Sequence, residues 1–175
     1  MSYSIVNIVS TADLLQYVDI HVISELPHTI YNPEIYGGRV TYLKTPQMYG
    51  KVTIFPSGKL ISIGTKSPEQ AQKDLEITVD TLVKAALIEY VKVDANIRNI
   101  VAVASFKNIS SLEEIASITG AIYEPEQFSG AILKDKKVNA TYLIFQSGKI
   151  VINGINSIKK LEKSHKHIIE LLENI

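Results

Sequence analysis

Ile5-Val6-Asn7-Ile8-Val9 returns later in the chain as Ile97-Arg98-Asn99-Ile100-Val101, an offset of 92 from Asn7 to Asn99. Tyr31-Asn32-Pro33-Glu34 returns as Tyr123-Glu124-Pro125-Glu126 at the same offset, and Tyr36-Gly37-Gly38 answers to Phe128-Ser129-Gly130. Ile54-Phe55-Pro56-Ser57-Gly58-Lys59 returns as Ile144-Phe145-Gln146-Ser147-Gly148-Lys149 at an offset of 90, so the first copy carries two extra residues, placed in a turn near Thr45 to Gly50. Matches in this order mean an internal duplication, which any fold for the chain must satisfy first. Residues 1–91 form the first repeat and 92–175 the second, and 175 residues suit one domain made of two such halves.

Each repeat has the same order of elements: a strand, a short helix, a meander of strands and a long helix. Residues 3 to 10 have the Val and Ile content of a strand, and Asp19 caps a short helix with Ile20, Val22, Ile23 and Leu26 on its apolar side. Ser111 and Glu114 form a capping box at the equivalent place. Strands are expected near 38–44, 51–55 and 59–63, and again near 130–134, 140–145 and 149–153, with Ser57-Gly58 as a tight turn. Ser67-Pro68 starts a long helix whose stripe is Ala71, Leu75, Thr78, Val79, Leu82, Val83 and Ala86. Ser157 starts its counterpart, with Ile158, Leu161, Ile168, Ile169 and Leu172. Two long amphipathic helices and about ten short strands predict an α+β fold, an antiparallel sheet with helices on one face only. The other face is left bare, and a broad bare face must be polar or be used.

Composition removes several function classes. No apolar run approaches the length needed to cross a bilayer, so no membrane partner is expected. Residues Met1 to Asn7 lack the basic and then apolar pattern of a secretion signal, which predicts an intracellular location. With no Cys there is neither a disulfide nor a thiolate metal site. His165 and His167 point to different faces of a helix while His21 and His28 lie far away, so no metal and no other cofactor is expected. Neither paired carboxylates nor a Ser/His arrangement at usable spacing is present, and the chain reads as a non-enzyme. Gly58-Lys59 and Gly148-Lys149 lack the remaining residues of a phosphate-binding loop and are hairpin turns. Lys+Arg and Asp+Glu are equal at 18 each, so affinity for a nucleic acid would have to come from local placement.

Side chains two apart on a strand share a face. Asn7 with Val9, Thr53 with Phe55, and Lys59 with Ile61 and Ile63 are grouped in this way in the first repeat. Asn99 with Val101, Leu143 with Phe145, and Lys149 with Val151 and Asn153 are their counterparts. The duplicated Tyr-x-Pro-Glu-x-aromatic-x-Gly segments and the twin Ile-Phe-x-Ser-Gly-Lys turns resemble the TATA-box-binding protein family, in its archaeal style, over nearly the whole chain. The resemblance implies a saddle-shaped curved sheet, helices on its convex side and double-stranded DNA along its concave side, in the minor groove of an A·T-rich site. It implies wedges at Tyr36 with Phe55 and at Phe128 with Phe145, amide donors at Asn7 and Asn99, and a dry strip of Val9, Ile61, Val101, Leu143 and Val151. Lys59, Lys66, Lys134 and Lys149 match the family's phosphate-contacting positions, while Tyr42, Asn139 and Asn156 replace basic residues. Tyr36, Thr53, Ile63 and Asn153 depart from the family pattern on the DNA face, three of them in the first repeat.

The resemblance further implies that Glu124, Glu126 and Gln127 form the turn that receives transcription factor B, through which RNA polymerase is engaged. The implied activity is general transcription initiation at promoter DNA, with the protein located on the chromosome. Two other readings are compatible with the fold: a paralogue acting through protein contacts with weakened or altered DNA binding, and an accessory recognition domain, for which the chain leaves no length for a catalytic partner.

Overall fold

Sequence alternation and capping chemistry account for nine strands and four helices in the computed structural model, which describes residues 2–107 and 109–175, with Tyr36 described by its backbone only. By contact the chain divides into two compact units, one of residues 7–98 and one of residues 1–6 with 99–175. In the first, β1 (Tyr3–Asp13), β2 (Thr29–Tyr31), β3 (Thr41–Leu43), β4 (Lys51–Ile54) and β5 (Lys59–Thr65) run in the order β2-β3-β4-β5-β1, all antiparallel. With them go α1 (Ile20–Ser24) and α2 (Pro68–Lys84). In the second, β6 (Asn96–Ser105), β7 (Gly130–Asp135), β8 (Ala140–Phe145) and β9 (Lys149–Ile155) follow the order β6-β9-β8-β7, with α3 (Leu112–Thr119) and α4 (Ile158–Glu173). The segment matching β2 is reduced to a single bridge, Ile122 to Ile132. Both units repeat one α+β plan.

Each helix starts on a hydroxyl or carboxylate cap. Asp19 accepts from the His21 and Val22 N–H groups, Ser67 from Gln70, Ser111 from Glu114 and Ser157 from Lys160. Pro68 occupies the first turn of α2, where its missing N–H costs nothing. The helix keeps Ala71, Leu75, Thr78, Val79 and Leu82 buried, but ends at Lys84. Ala86, expected in the stripe, lies beyond the end at φ 56° and is exposed, because the chain has already turned away. α1 is one turn, which buries Ile20 and Ile23 and leaves Val22 outside.

The helix-side face of each sheet is the core. Leu14, Leu43, Val52, Ile54 and Leu60 pack with Leu75, Val79 and Leu82 in one unit. Ile100, Ala102, Ile144, Ile150, Ile152 and Tyr142 are sealed in the other, along with Leu161 and Ile168 of α4. A polar contact marks the same helix position in each repeat. Asp74 is fully buried and accepts the N–H of Tyr49 at 2.9 Å and of Gly50 at 2.7 Å, closing the turn that holds the two extra residues. Its counterpart Ser164 meets the Tyr142 hydroxyl, which donates to the Ser164 carbonyl at 3.0 Å. Burial pushes that phenol up to about 12 against the opposing effect of Ser164.

Gly148 turns the β8–β9 hairpin at φ 85°, and a Cβ there would stand 2.1 Å from the Phe106 carbonyl oxygen. Gly148→Ala is expected to lower stability by about 2 kcal/mol, since both the backbone region and the space are denied to it. The urea midpoint reads this directly, and an unchanged midpoint would mean that the turn relaxes freely. No helix among the described residues is long and apolar enough to cross a membrane.

Candidate nucleic-acid interface

In the unit of residues 7–98, alternation sends Ile8 and Ser10 into the core, and Asn7, Val9 and Thr11 to the opposite face. Cross-strand register sets their neighbours: Val9 faces Ile63, Thr11 faces Ile61, Thr53 faces both Ile61 and Tyr42, and Lys51 faces Ile63. Val9, Ile61, Ile63 and Phe55 are half-buried, an apolar surface with no cover among the described residues. Thr53 is sunk deeper, 7% exposed, in the floor between its neighbours. The Lys51 ammonium lies 4.4 Å from the centre of the Tyr42 ring. Lys59 and Lys66 are exposed, and Lys59 stands opposite Asp13. The side chain of Tyr36 lies outside the described residues.

The unit of residues 1–6 and 99–175 repeats the arrangement. Val101 and Val103 on β6, Val151 on β9, Leu143 on β8 and Ile132 on β7 form its half-buried strip, with Val103 facing Val151, and Leu143 facing Val151 and Ile132. Thr141 faces Asn153 and Lys134, while Lys149 stands opposite Ser105 rather than an acid. Phe128 and Phe145 meet edge to face, with ring centres 5.7 Å apart. Gly130 makes room for them, because a Cβ there would lie 3.0 Å from one ring and 3.1 Å from the other. The Glu124 carbonyl accepts the N–H groups of Gln127 and Phe128, both at 2.9 Å, so the exposed Glu124, Glu126 and Gln127 and the ring of Phe128 belong to one turn.

The two asparagines are held by bulges. Register shifts occur beside Ile8 and beside Ile100, where Gly64 at φ 96° and Gly154 at φ 83° interrupt the ladders. The Gly64 N–H, freed from the ladder, donates to Asn7 Oδ1 at 2.8 Å, and the Gly154 N–H donates to Asn99 Oδ1 at 3.1 Å. A backbone N–H can only donate, so each carboxamide oxygen must face it and each NH₂ group must turn away. Asn153 Oδ1 takes the same Gly154 N–H at 2.7 Å, which commits its oxygen as well. The face therefore presents oriented amide donors beside an apolar strip, with lysines near its margins.

Alternation alone would have added Thr11 and Val103 to the expected set, two places on from Val9 and Val101. Tyr42, Lys51, Ile132 and Thr141 needed the strand register, and the glycine tethers needed the bulges. No group of three or more His, Asp or Glu side chains placed to hold a metal occurs among the described residues.

The fold defines a class, α+β proteins in which one plan of strands and helices occurs twice along the chain. The family model described as transcription factor TFIID (or TATA-binding protein, TBP) matches residues 2–85 and 94–175. A TATA-box-binding protein of Cenarchaeum symbiosum is 37% identical over 97% of this chain and 93% of its own length, and one of Sulfolobus acidocaldarius is 33% identical over 97% and 86%. The solved structure of Methanococcus jannaschii TBP superposes with a TM-score of 0.88 at 29% identity, covering 100% of both chains. The chain belongs to the TATA-box-binding protein family.

Proposed function

We propose that the chain is a general transcription initiation factor that binds A·T-rich promoter DNA through the minor groove, bends it, and recruits transcription factor B and through it RNA polymerase. The carrying observation is the pair of tethered carboxamides, Asn7 and Asn99, whose oxygens are held by glycine N–H groups, which leaves their NH₂ groups as the donors on strands that also carry the apolar strips. In the minor groove A·T pairs offer only the acceptors adenine N3 and thymine O2, while G·C pairs add the guanine amino donor. Donor amides and a dry strip suit the first and leave a guanine amino group without a partner. Phe55, Phe128 and Phe145, with Tyr36, are the wedges in this reading, and Lys59, Lys66, Lys134 and Lys149 meet phosphates. Asn153 adds a donor and Thr53 belongs to the same contact surface, whereas Ile63 offers no donor to base acceptors at its position. Glu124, Glu126 and Gln127 receive factor B, since an exposed acidic turn is repelled by DNA and free for a basic partner.

A band-shift titration with A·T-rich and G·C-rich duplexes at two salt concentrations tests the reading. The A·T duplex should bind more tightly by at least about tenfold, migrate as bent DNA, and form a slower band when purified factor B is added. Equal affinity for both duplexes would remove the specific function, and a bent complex that factor B never joins would remove the partner assignment alone.

A further inference from the structure

Asn153-Gly154 is the one place in the chain where an asparagine precedes a glycine; the other asparagines all precede larger residues. The first repeat has Ile63-Gly64 at this position, so it keeps the glycine without the amide. A bulge sets the pair apart from the regular ladder. Ile152 stands opposite Ala102 and Ile155 opposite Ile100, so Asn153 and Gly154 together answer to Val101 alone. Both are exposed, with Gly154 at φ 83°. The Asn153 side chain folds onto the backbone that follows it, its Oδ1 lying 2.7 Å from the Gly154 nitrogen. An asparagine held in this way can close a ring on its own main chain.

The Gly154 nitrogen gives up its proton to hydroxide and adds to Asn153 Cγ. A C–N bond forms as the bond to the NH₂ group breaks, and that group takes a proton from water and leaves as ammonia. The five-membered imide then takes up one water and opens at either carbonyl, to aspartate or to isoaspartate. A Cβ on the following residue hinders the ring closure, and glycine has none. We propose that Asn153 is a site of spontaneous deamidation whose product switches off the DNA-facing surface of its unit, an inference that rests on the minor-groove reading above. A donor amide becomes a carboxylate, which only accepts and is set against base acceptors and phosphates. The isoaspartate form also carries an extra methylene in the main chain, which spoils the bulge. Asn99 Oδ1 takes the same Gly154 N–H at 3.1 Å. It therefore holds the proton that has to leave and slows the reaction while the bulge is closed.

The test stores the full chain, free of DNA, in mildly alkaline buffer for weeks and follows by mass spectrometry the peptide Ile150–Lys159 that trypsin releases. Fragment ions separate Asn153 from Asn156 in that peptide, and an isoaspartate-specific methyltransferase counts the isoaspartate. Asn153 should convert before any other asparagine, and affinity for an A·T-rich duplex should fall in step with the converted fraction while circular dichroism stays that of the fresh protein. Asn153→Asp, which reproduces one product, should bind roughly tenfold more weakly than the parent. Asn153→Thr cannot close the ring and should keep through storage whatever affinity it has when fresh. Asn99→Ala should convert roughly fivefold faster than the parent, the effect of removing one hydrogen bond from the departing proton, and this is read by mass alone.

A synthetic peptide of residues 150–159 gives the rate without a fold. An Asn153 that stays intact in the stored protein while the peptide converts fully overturns the inference. So does a converted protein that binds the A·T duplex like the fresh one, or one that loses binding only by losing its fold; both leave the minor-groove reading intact. A fresh parent that binds no A·T duplex removes that reading and the effect on binding with it, while the masses still decide whether Asn153 deamidates.

Discussion

Phe128→Ala combined with Phe145→Ala is expected to leave a folded chain that fails the proposed bending of an A·T-rich duplex and binds it roughly a hundredfold more weakly, or worse. The two rings are half-buried on the open face and pack edge to face on each other, with Gly130 leaving space beneath them. Their contribution to the fold is therefore a partial one. Losing half the burial of two rings and one aromatic contact costs about 2–4 kcal/mol, which shifts the melting midpoint of a chain this size without unfolding it. In the proposed function their contribution to bending is expected to be larger in proportion, because a wedge has to offset base unstacking of about a few kcal/mol per step, a magnitude known for this family. Fluorescence transfer between dyes at the duplex ends measures the bend, and circular dichroism measures the fold. A double variant that bends DNA like the parent would exclude these rings as wedges, and one that is unfolded at room temperature would make them core residues.

Asp74→Ala should have the largest effect on stability of any single polar substitution discussed, about 3–5 kcal/mol. Each carboxylate oxygen takes one backbone N–H in a fully buried setting, and removing both acceptors leaves the Tyr49 and Gly50 N–H groups with nothing to replace them. For a chain of this size that is a fall in melting midpoint of roughly 8–15 °C. Asp74→Asn should fall between the variant and the parent, since one oxygen is kept while an NH₂ group is set against an N–H. Ser164→Ala, at the same place in the other repeat, should cost only about 1 kcal/mol, because it deletes a hydroxyl beside Tyr142 but leaves the carbonyl that accepts its proton. A melting midpoint for Asp74→Ala within a degree or two of the parent would mean that water or rearrangement replaces the latch.

The sequence made legible what local chemistry decides. Ser67, Ser111, Ser157 and Asp19 cap the helices they precede because a short polar side chain reaches the first free N–H groups wherever the chain begins a helix. The twin Ser-Gly turns follow from a backbone region that glycine tolerates. What escaped is decided between strands. That Thr53 faces Tyr42, or Thr141 faces Asn153, depends on register, which no window along one strand contains. The bulges at Gly64 and Gly154 leave no trace in the hydrophobic period, yet they determine which way the Asn7 and Asn99 amides point.

The exchange of opening residues between the units bears on how such a chain is made. Tyr3 finishes its packing only when its ring meets His165, 5.1 Å between centres, on the last helix. Tyr3 is thus made long before the helix it packs on, and waits for α4 to follow. A loop of that length closes slowly, and while it is open Tyr3 lacks the ring it packs against. Nascent chains long enough to clear residue 98 from the ribosome, but lacking α4, should therefore hold the unit of residues 7–98 ready while Tyr3 stays accessible to a protease.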